Sequence, residues 1–436
     1  MVSFSAVPLW DDPDPVLRDG RLGLLCNQAA WHRETGEYLF ETLHGRGNLK
    51  RVFIPEHGLF GELQDQVKLD DTGAYSGLGF GDCEFVSLYG SGESSLTVDP
   101  EKLSDLDALV IELQDVGVRY YTFLATLRNL FITLKTCNIP LPVWLLDREN
   151  PAGPSVEGTP LRAGYGSFIG IEGLPHRYGL SIGELAHYFY AEIGADFPLR
   201  VISWRAAAEP RLFPWTIPPS PNIPGYFTAG FYSGQCLWEG TNVSEGRGTT
   251  RPFEVFGAPW MEKLLDYNRK AALPRWNAAE HPLADPGVFL RWFRFIPVFH
   301  KYRDRCCFGF QLILRDDGAR RGGFPNPAYH ALFHALRLIR FMAETCEDFS
   351  FRPGKYEAGN DKTAIELLTG DPVLLDYLRG GGSASEDIRE YLRREEEGWI
   401  QKVRGYRFYG EAGSSSEPLY SAADRAGRIE GQQILP

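Results

Sequence analysis

Three short segments of this 436-residue chain crowd acids, amides and arginines together with glycine, and they hold its best candidates for chemistry. Glycine lets backbone approach a ligand closely, and the polar groups around it decide what is bound. The first segment is Ile54-Pro-Glu-His-Gly-Leu-Phe-Gly-Glu62. Cleavage of a glycosidic bond needs a carboxylic acid that can protonate the departing oxygen, which makes Glu56 the principal candidate acid, with His57 beside it as a binding group. The plainer alternative is a structural turn in which Glu56 accepts from backbone amides. The second segment runs Glu112-Leu-Gln-Asp-Val-Gly-Val-Arg-Tyr-Tyr-Thr122. It supplies Gln114 and Asp115 for hydroxyls, Arg119 for a carboxylate, and the ring of Tyr120 for a sugar face; alternatively Asp115 and Arg119 pair with each other. The third runs from Trp238 to Phe253 and carries Glu239, Asn242, Glu245 and Arg247. Arg247 suits bidentate recognition of an anionic substituent. Asp115, Glu245 and Glu62 are the candidate carboxyl partners of Glu56.

Short apolar runs must position these groups. Leu22–Cys26, Lys50–Ile54, Phe85–Tyr89, Ala108–Glu112 and Val143–Leu146 read as buried strands, with a further strand expected at Leu199–Trp204. Helical spacing follows Gly36 and recurs at Tyr121, Leu124, Leu127, Phe131 and Leu134. Another helix begins at Ser181, with Glu184 in capping-box position. Strands alternating with helices predict an α/β fold, a doubly wound parallel sheet whose ligands bind beyond the carboxyl ends of the strands. Polar pairs stand at those ends: Asn27-Gln28, Glu56-His57, Gln114-Asp115 and Asp147-Arg148. Asn27, Asp147 and Arg148 therefore join the binding candidates.

Past the proline-rich stretch Pro214–Pro224, read as a linker or ordered loop, the pattern is less regular. A strand is expected at Gln235–Trp238 and another at Phe308–Leu314, with a helix over Asn326–Cys346. The run Arg393–Glu397 reads as a solvated helix face. The expected organisation is a domain over 1–210, a smaller α+β domain over 211–412 and a polar, disordered tail over 413–436.

Several function classes are disfavoured. The first strand is followed by Cys26-Asn-Gln-Ala-Ala30 rather than GxGxxG, Gly90–Ser95 lacks a phosphate-loop lysine, and there is no GxSxG elbow. His330 and His334 stand four apart but have no acid between them, and read as an exposed helix edge rather than metal ligands. No cofactor and no metal are expected. A formal charge of −12 argues against nucleic acid or an anionic membrane as partner. Seven cysteines without a CxxC pair read as reduced thiols, and no cationic patch or apolar run precedes Asp11, so the expected location is cytoplasmic. The aromatic share of 13% suits either sugar binding or a large core.

The three segments come with further ordered motifs: Leu145-Leu-Asp-Arg-Glu-Asn-Pro-Ala-Gly153, Val156-Glu-Gly158, Tyr178-Gly-Leu-Ser-Ile-Gly-Glu184, Pro219-Ser-Pro-Asn222 and Phe256-Gly-Ala-Pro-Trp260. Together, from about Arg21 to Tyr409, they resemble the NamZ-type exo-β-N-acetylmuramidases. The resemblance implies a Rossmann-like parallel-sheet domain without a dinucleotide, a smaller C-terminal domain and an active site between them. It implies release of N-acetylmuramic acid from the non-reducing end of peptidoglycan fragments, with the catalytic glutamate of Pro-Glu-His-Gly at Glu56. The substrate's lactyl carboxylate would give Arg119 or Arg247 a purpose. The chain departs from many relatives at Phe60, where they carry arginine. Hydrolysis of another amino-sugar glycoside, such as an N-acetylglucosaminide, and non-catalytic muropeptide binding are the alternative functions.

Overall fold

The computed structural model describes residues 2–409 apart from 34, 65–66, 70–71, 91–95, 204–216, 316–328, 358–359 and 383. Seven strands make one parallel sheet: β1 (Val2–Ser5), β2 (Leu22–Cys26), β3 (Leu49–Ile54), β4 (Glu84–Ser87), β5 (Ala108–Glu112), β6 (Val143–Leu146) and β7 (Leu199–Ile202). Their order across the sheet is β1-β7-β6-β5-β2-β3-β4. The chain thus builds outward from β2 to β4 on one side, then returns at β5 to build the other. Such a reversal opens a crevice beyond the strand ends. The apolar runs of β2, β5 and β6 are buried throughout, as parallel strands covered on both faces must be. Alternate residues feed two cores: Leu25, Ile111 and Leu145 enter one, while Leu24, Val110 and Trp144 enter the other.

Helix α1 (Leu39–Gly45) links β2 to β3, α2 (Phe123–Thr136) links β5 to β6, and α3 (Ile182–Glu192) precedes β7. The capping box of α3 is formed as read: Ser181 Oγ accepts from the Glu184 amide at 3.2 Å, and Glu184 accepts from the Ser181 amide at 3.0 Å. The strand read to Trp204 ends at Ile202, and Trp204 lies outside the described residues. β1 was not foreseen, because four residues with an exposed middle carry little pattern.

The second half holds an antiparallel sheet of β8 (Val255–Ala258), β9 (Val288–Phe295) and β10 (Cys307–Leu314), with β10 central. Helices α4 (Tyr226–Gln235), α5 (Ala331–Thr345), α6 (Ala364–Thr369) and α7 (Ser385–Val403) belong to the same half, and α4 packs on α5. The larger core is continuous across the halves, joining Leu145 to Trp238, Phe310 and Trp399.

Three expectations need correction. Gln235–Trp238 is not a strand: it is the end of α4 and a 3-10 turn over Cys236–Gly240. A short apolar run buried on all sides has no periodicity to distinguish the two. His330 and His334 are not an exposed helix edge. His330 caps α5 by accepting the Phe333 amide and meets Glu396 at 2.7 Å, while His334 is fully buried between the Tyr329 hydroxyl and the Leu283 carbonyl. Finally, Arg393 is solvated as read, but Glu395 pairs with Arg162 and Glu396 turns inward to the Gly158 amide. The tail over 413–436 lies outside the described residues. Among the described residues no helix is long and apolar enough to cross a membrane.

Candidate active site

β3 ends at Ile54, and in the turn that follows His57 at φ 77° and Gly58 at φ 85° take left-handed backbone. A histidine held there is strained, and such strain collects at functional sites. Any L side chain at Gly58 would be strained by that φ, and its Cβ would also push on the Glu62 carboxylate at 2.6 Å. This turn carries Glu56 into a cavity of about 550 Å³ beyond the sheet's carboxyl edge. Thr122, the N-cap of α2, donates its hydroxyl to Glu56 Oε2 at 2.6 Å. His57 Nδ1 lies 3.0 Å from the Leu63 carbonyl, so Nδ1 carries the proton and Nε2 is left as an acceptor. Burial, reinforced by the charge of Arg247, holds the His57 pKa below the usual histidine range, although Glu56 and the Leu63 carbonyl oppose the shift.

The opposite wall comes from the second half. Glu239, in the 3-10 turn, accepts from Arg247 Nη2 at 2.7 Å and from Nε at 3.3 Å, and the Tyr356 hydroxyl donates to its other oxygen. Arg247 also lies 4.9 Å over the ring of Phe253. Tyr120, Tyr121, Tyr232 and Phe253 give the cavity aromatic walls. At its edge Tyr89 stacks on Phe168, and Lys68 Nζ sits 3.7 Å above Tyr89. The proline-rich stretch contributes Ser220, Asn222 and Ile223, so its described part is an ordered wall rather than a linker; 214–216 lie outside the described residues.

Glu56, His57, Tyr120, Glu239 and Arg247 therefore share one cavity. The other expected residues do not line it. Arg119 is buried and donates to the carbonyls of Thr159, Leu174, Leu368 and Thr369 rather than to Asp115. Asp115 is buried against the Tyr178 hydroxyl and the Gly117 amide, and burial lifts its carboxyl to about 7. Glu245 is buried among Lys301, His300 and Arg247, which outweigh burial and hold it well below the usual carboxylate range. Glu62 is taken up by the Tyr75 hydroxyl and the Phe60 amide.

Asp147 braces the start of α3 through Ser181 and the Gly183 amide, both at 2.7 Å. Arg148 binds Glu112 at 2.9 Å and Gln114 at 2.8 Å, and Gln114 is held in turn by Asn27. Asn242 ties its loop to Asp348 and Ser350. These polar strand ends serve each other. Phe60 also stands off the cavity, its ring 5.6 Å from Tyr38 and 6.3 Å from Phe40.

One cavity carboxyl was missed. Glu357 accepts from the Ile169 amide at 3.2 Å, and burial together with the nearby charge of Glu56 raises its pKa. Its setting, Lys355-Tyr-Glu-Ala-Gly-Asn360, repeats the acid–glycine signature of the three segments and could have marked it. Among the described residues no group of three or more histidine, cysteine or acidic side chains is placed to hold a metal ion.

Comparison with known proteins accounts for nearly all of this framework. Residues 22–226 match the family model "Exo-beta-N-acetylmuramidase NamZ, N-terminal", and 230–409 match its C-terminal counterpart. The peptidoglycan β-N-acetylmuramidase NamZ of Bacillus subtilis (strain 168) is 34% identical over 400 residues, covering 88% of this chain and 89% of that protein. Two crystal structures of DUF1343 family proteins from Bacteroides fragilis share the fold. One has a TM-score of 0.66 at 23% identity over 90% of this chain and 95% of its own, the other 0.64 at 24% over 92% and 96%. The chain belongs to the exo-β-N-acetylmuramidase NamZ family.

Proposed function

We propose that this protein is an exo-acting β-N-acetylmuramidase that hydrolyses the terminal N-acetylmuramic acid linkage of peptidoglycan fragments, with Glu56 as a catalytic carboxyl. The observation that carries the reading is the meeting of Glu56 and Arg247 on one aromatic-walled cavity, in a chain of this family. A carboxyl at the reacting bond, rings for the sugar face and a guanidinium for the lactyl carboxylate are what an acidic amino sugar calls for. Glu239 Oε1 accepts from Nη2 and Nε of that guanidinium and holds it in the cavity wall. His57 Nε2 accepts from a sugar hydroxyl or amide. The seven free cysteines support a reducing compartment, and with it a cytoplasmic role in recycling of fragments rather than attack on intact wall.

The test is release of phenol from a chromogenic β-N-acetylmuramide. Glu56→Gln should lower the rate by about 10²–10⁴ with the fold intact. A near-native rate from the folded variant would remove Glu56 from the chemistry. Preference for the corresponding N-acetylglucosaminide in competition would support the other amino-sugar reading instead.

A further inference from the structure

Glycoside hydrolysis moves two protons, one onto the departing oxygen and one off the attacking water, and usually engages two carboxyl groups. Asp115, Glu245 and Glu62 are each consumed by neighbours away from the cavity. Glu357 faces it. The segment that carries Glu357 is fixed on both sides of the cavity: Tyr356 reaches Glu239 in the far wall, and Glu357 accepts from the Ile169 amide in the near one. Glu56 arrives from the sheet edge, so the two carboxyls approach the same space from different halves of the chain and feel each other's charge.

Resting on the glycosidase reading, we infer that Glu357 is the second catalytic carboxyl, donating the proton to the departing oxygen while Glu56 takes up the proton of water. As the bond from the anomeric carbon to the departing oxygen breaks, its electron pair stays with that oxygen, which receives the Glu357 proton. Water bonds to the anomeric carbon and its proton passes to Glu56. Exchange with solvent returns both carboxyls to their starting states. Burial, with a smaller contribution from the charge of Glu56, favours the protonated form of Glu357 over the opposing hydrogen bonds from Ser167, Ile169 and Phe168, the direction a proton donor requires. The Thr122 hydroxyl aimed at Glu56 orients an ionised partner.

The experiment uses the full chain and two aryl β-N-acetylmuramides, one releasing dinitrophenol and one releasing unsubstituted phenol. A leaving group as acidic as dinitrophenol needs no proton, whereas phenol does. Glu357→Gln should stay within about tenfold of the native rate on the dinitrophenyl substrate and fall about a thousandfold on the phenyl substrate. Glu56→Gln should lose both. The ratio of the two rates does not depend on how much of a variant is folded. Should Glu357→Gln yield no folded protein, Glu357→Asp keeps a retracted acid and should give an intermediate ratio. A native ratio in these variants, whether the rates fall equally or not at all, overturns the role of Glu357 alone. A native protein inert towards every muramide overturns the substrate reading instead.

Discussion

The Thr122 hydroxyl donates to Glu56 Oε2 at 2.6 Å, and so ties the turn after β3 to the first turn of α2. Both residues are buried, and the bond fixes the direction in which the carboxylate points. A hydrogen bond to a charged group contributes about 1.5–3 kcal/mol. Thr122→Val keeps the shape and removes the donor. We expect kcat to fall about tenfold or more with KM nearly unchanged, measured on the chromogenic muramide. A rise in KM at constant kcat would assign Thr122 to binding.

Arg119 looks like a substrate cation in the sequence and is a structural clamp in the molecule. Its two terminal nitrogens donate to four backbone carbonyls and approach His176 Nε2 at 3.0 Å, joining the loop before α2 to the end of α6. Burial lowers its pKa to about 10, still far above neutrality. Arg119→Ala would strand these acceptors, at a cost of about 3 kcal/mol or more. Thermal melting should show a clear loss of stability, while KM for an anionic substrate stays native in whatever protein folds. A selective rise in KM would restore the ligand role.

The contrast between Arg119 and Arg247 shows how far the sequence could be read. Strand cores were legible because period and composition are local: β2, β5 and β6 lie where their apolar runs are. Glu56 was legible because a glycine-rich turn directly after a strand places its side chain almost by itself. The remaining site depends on which polar groups find partners from distant segments, and no local pattern encodes that. Asp147 could be a sugar ligand or the brace of α3, and only the approach of Ser181, 34 residues later, decides. Glu357 is the exception, since Lys355–Asn360 carries the acid–glycine signature locally and only its meeting with Glu56 is beyond a local pattern.

Arg247 is the guanidinium that does reach the cavity, sharing Glu239 with Tyr356. Arg247→Lys keeps the charge but loses the planar fork that matches a carboxylate. With a lactyl carboxylate as its ligand, kcat/KM on the muramide should fall by about 10- to 100-fold. On the matching N-acetylglucosaminide, which has no carboxylate, the fall should be several times smaller. Equal losses on both substrates would mean that Arg247 serves only to hold Glu239 and the wall.

Asp115 makes a prediction about pH. Burial lifts its carboxyl from an ordinary 3.8 to about 7, against the Tyr178 hydroxyl and the Gly117 and Val116 amides, and Oδ1 is buried without a partner among the described residues. A group whose folded pKa is raised stabilises the fold fully below its unfolded pKa and loses that contribution as pH rises through the folded value. Here the window runs from about pH 4 to pH 7, and the loss is on the order of 2 kcal/mol across its upper part. Asp147, also lifted to about 7 by burial, titrates in the same window, and His57 and His176, whose pKa burial lowers, shift stability in the opposite sense, so the native profile alone is a sum. Asp115→Asn cannot ionise and isolates one contribution. Relative to the native protein, its melting temperature should rise between pH 5 and pH 7 and level off above that, whatever the offset at pH 5. Parallel profiles would show that Asp115 keeps the same charge in both states across that range.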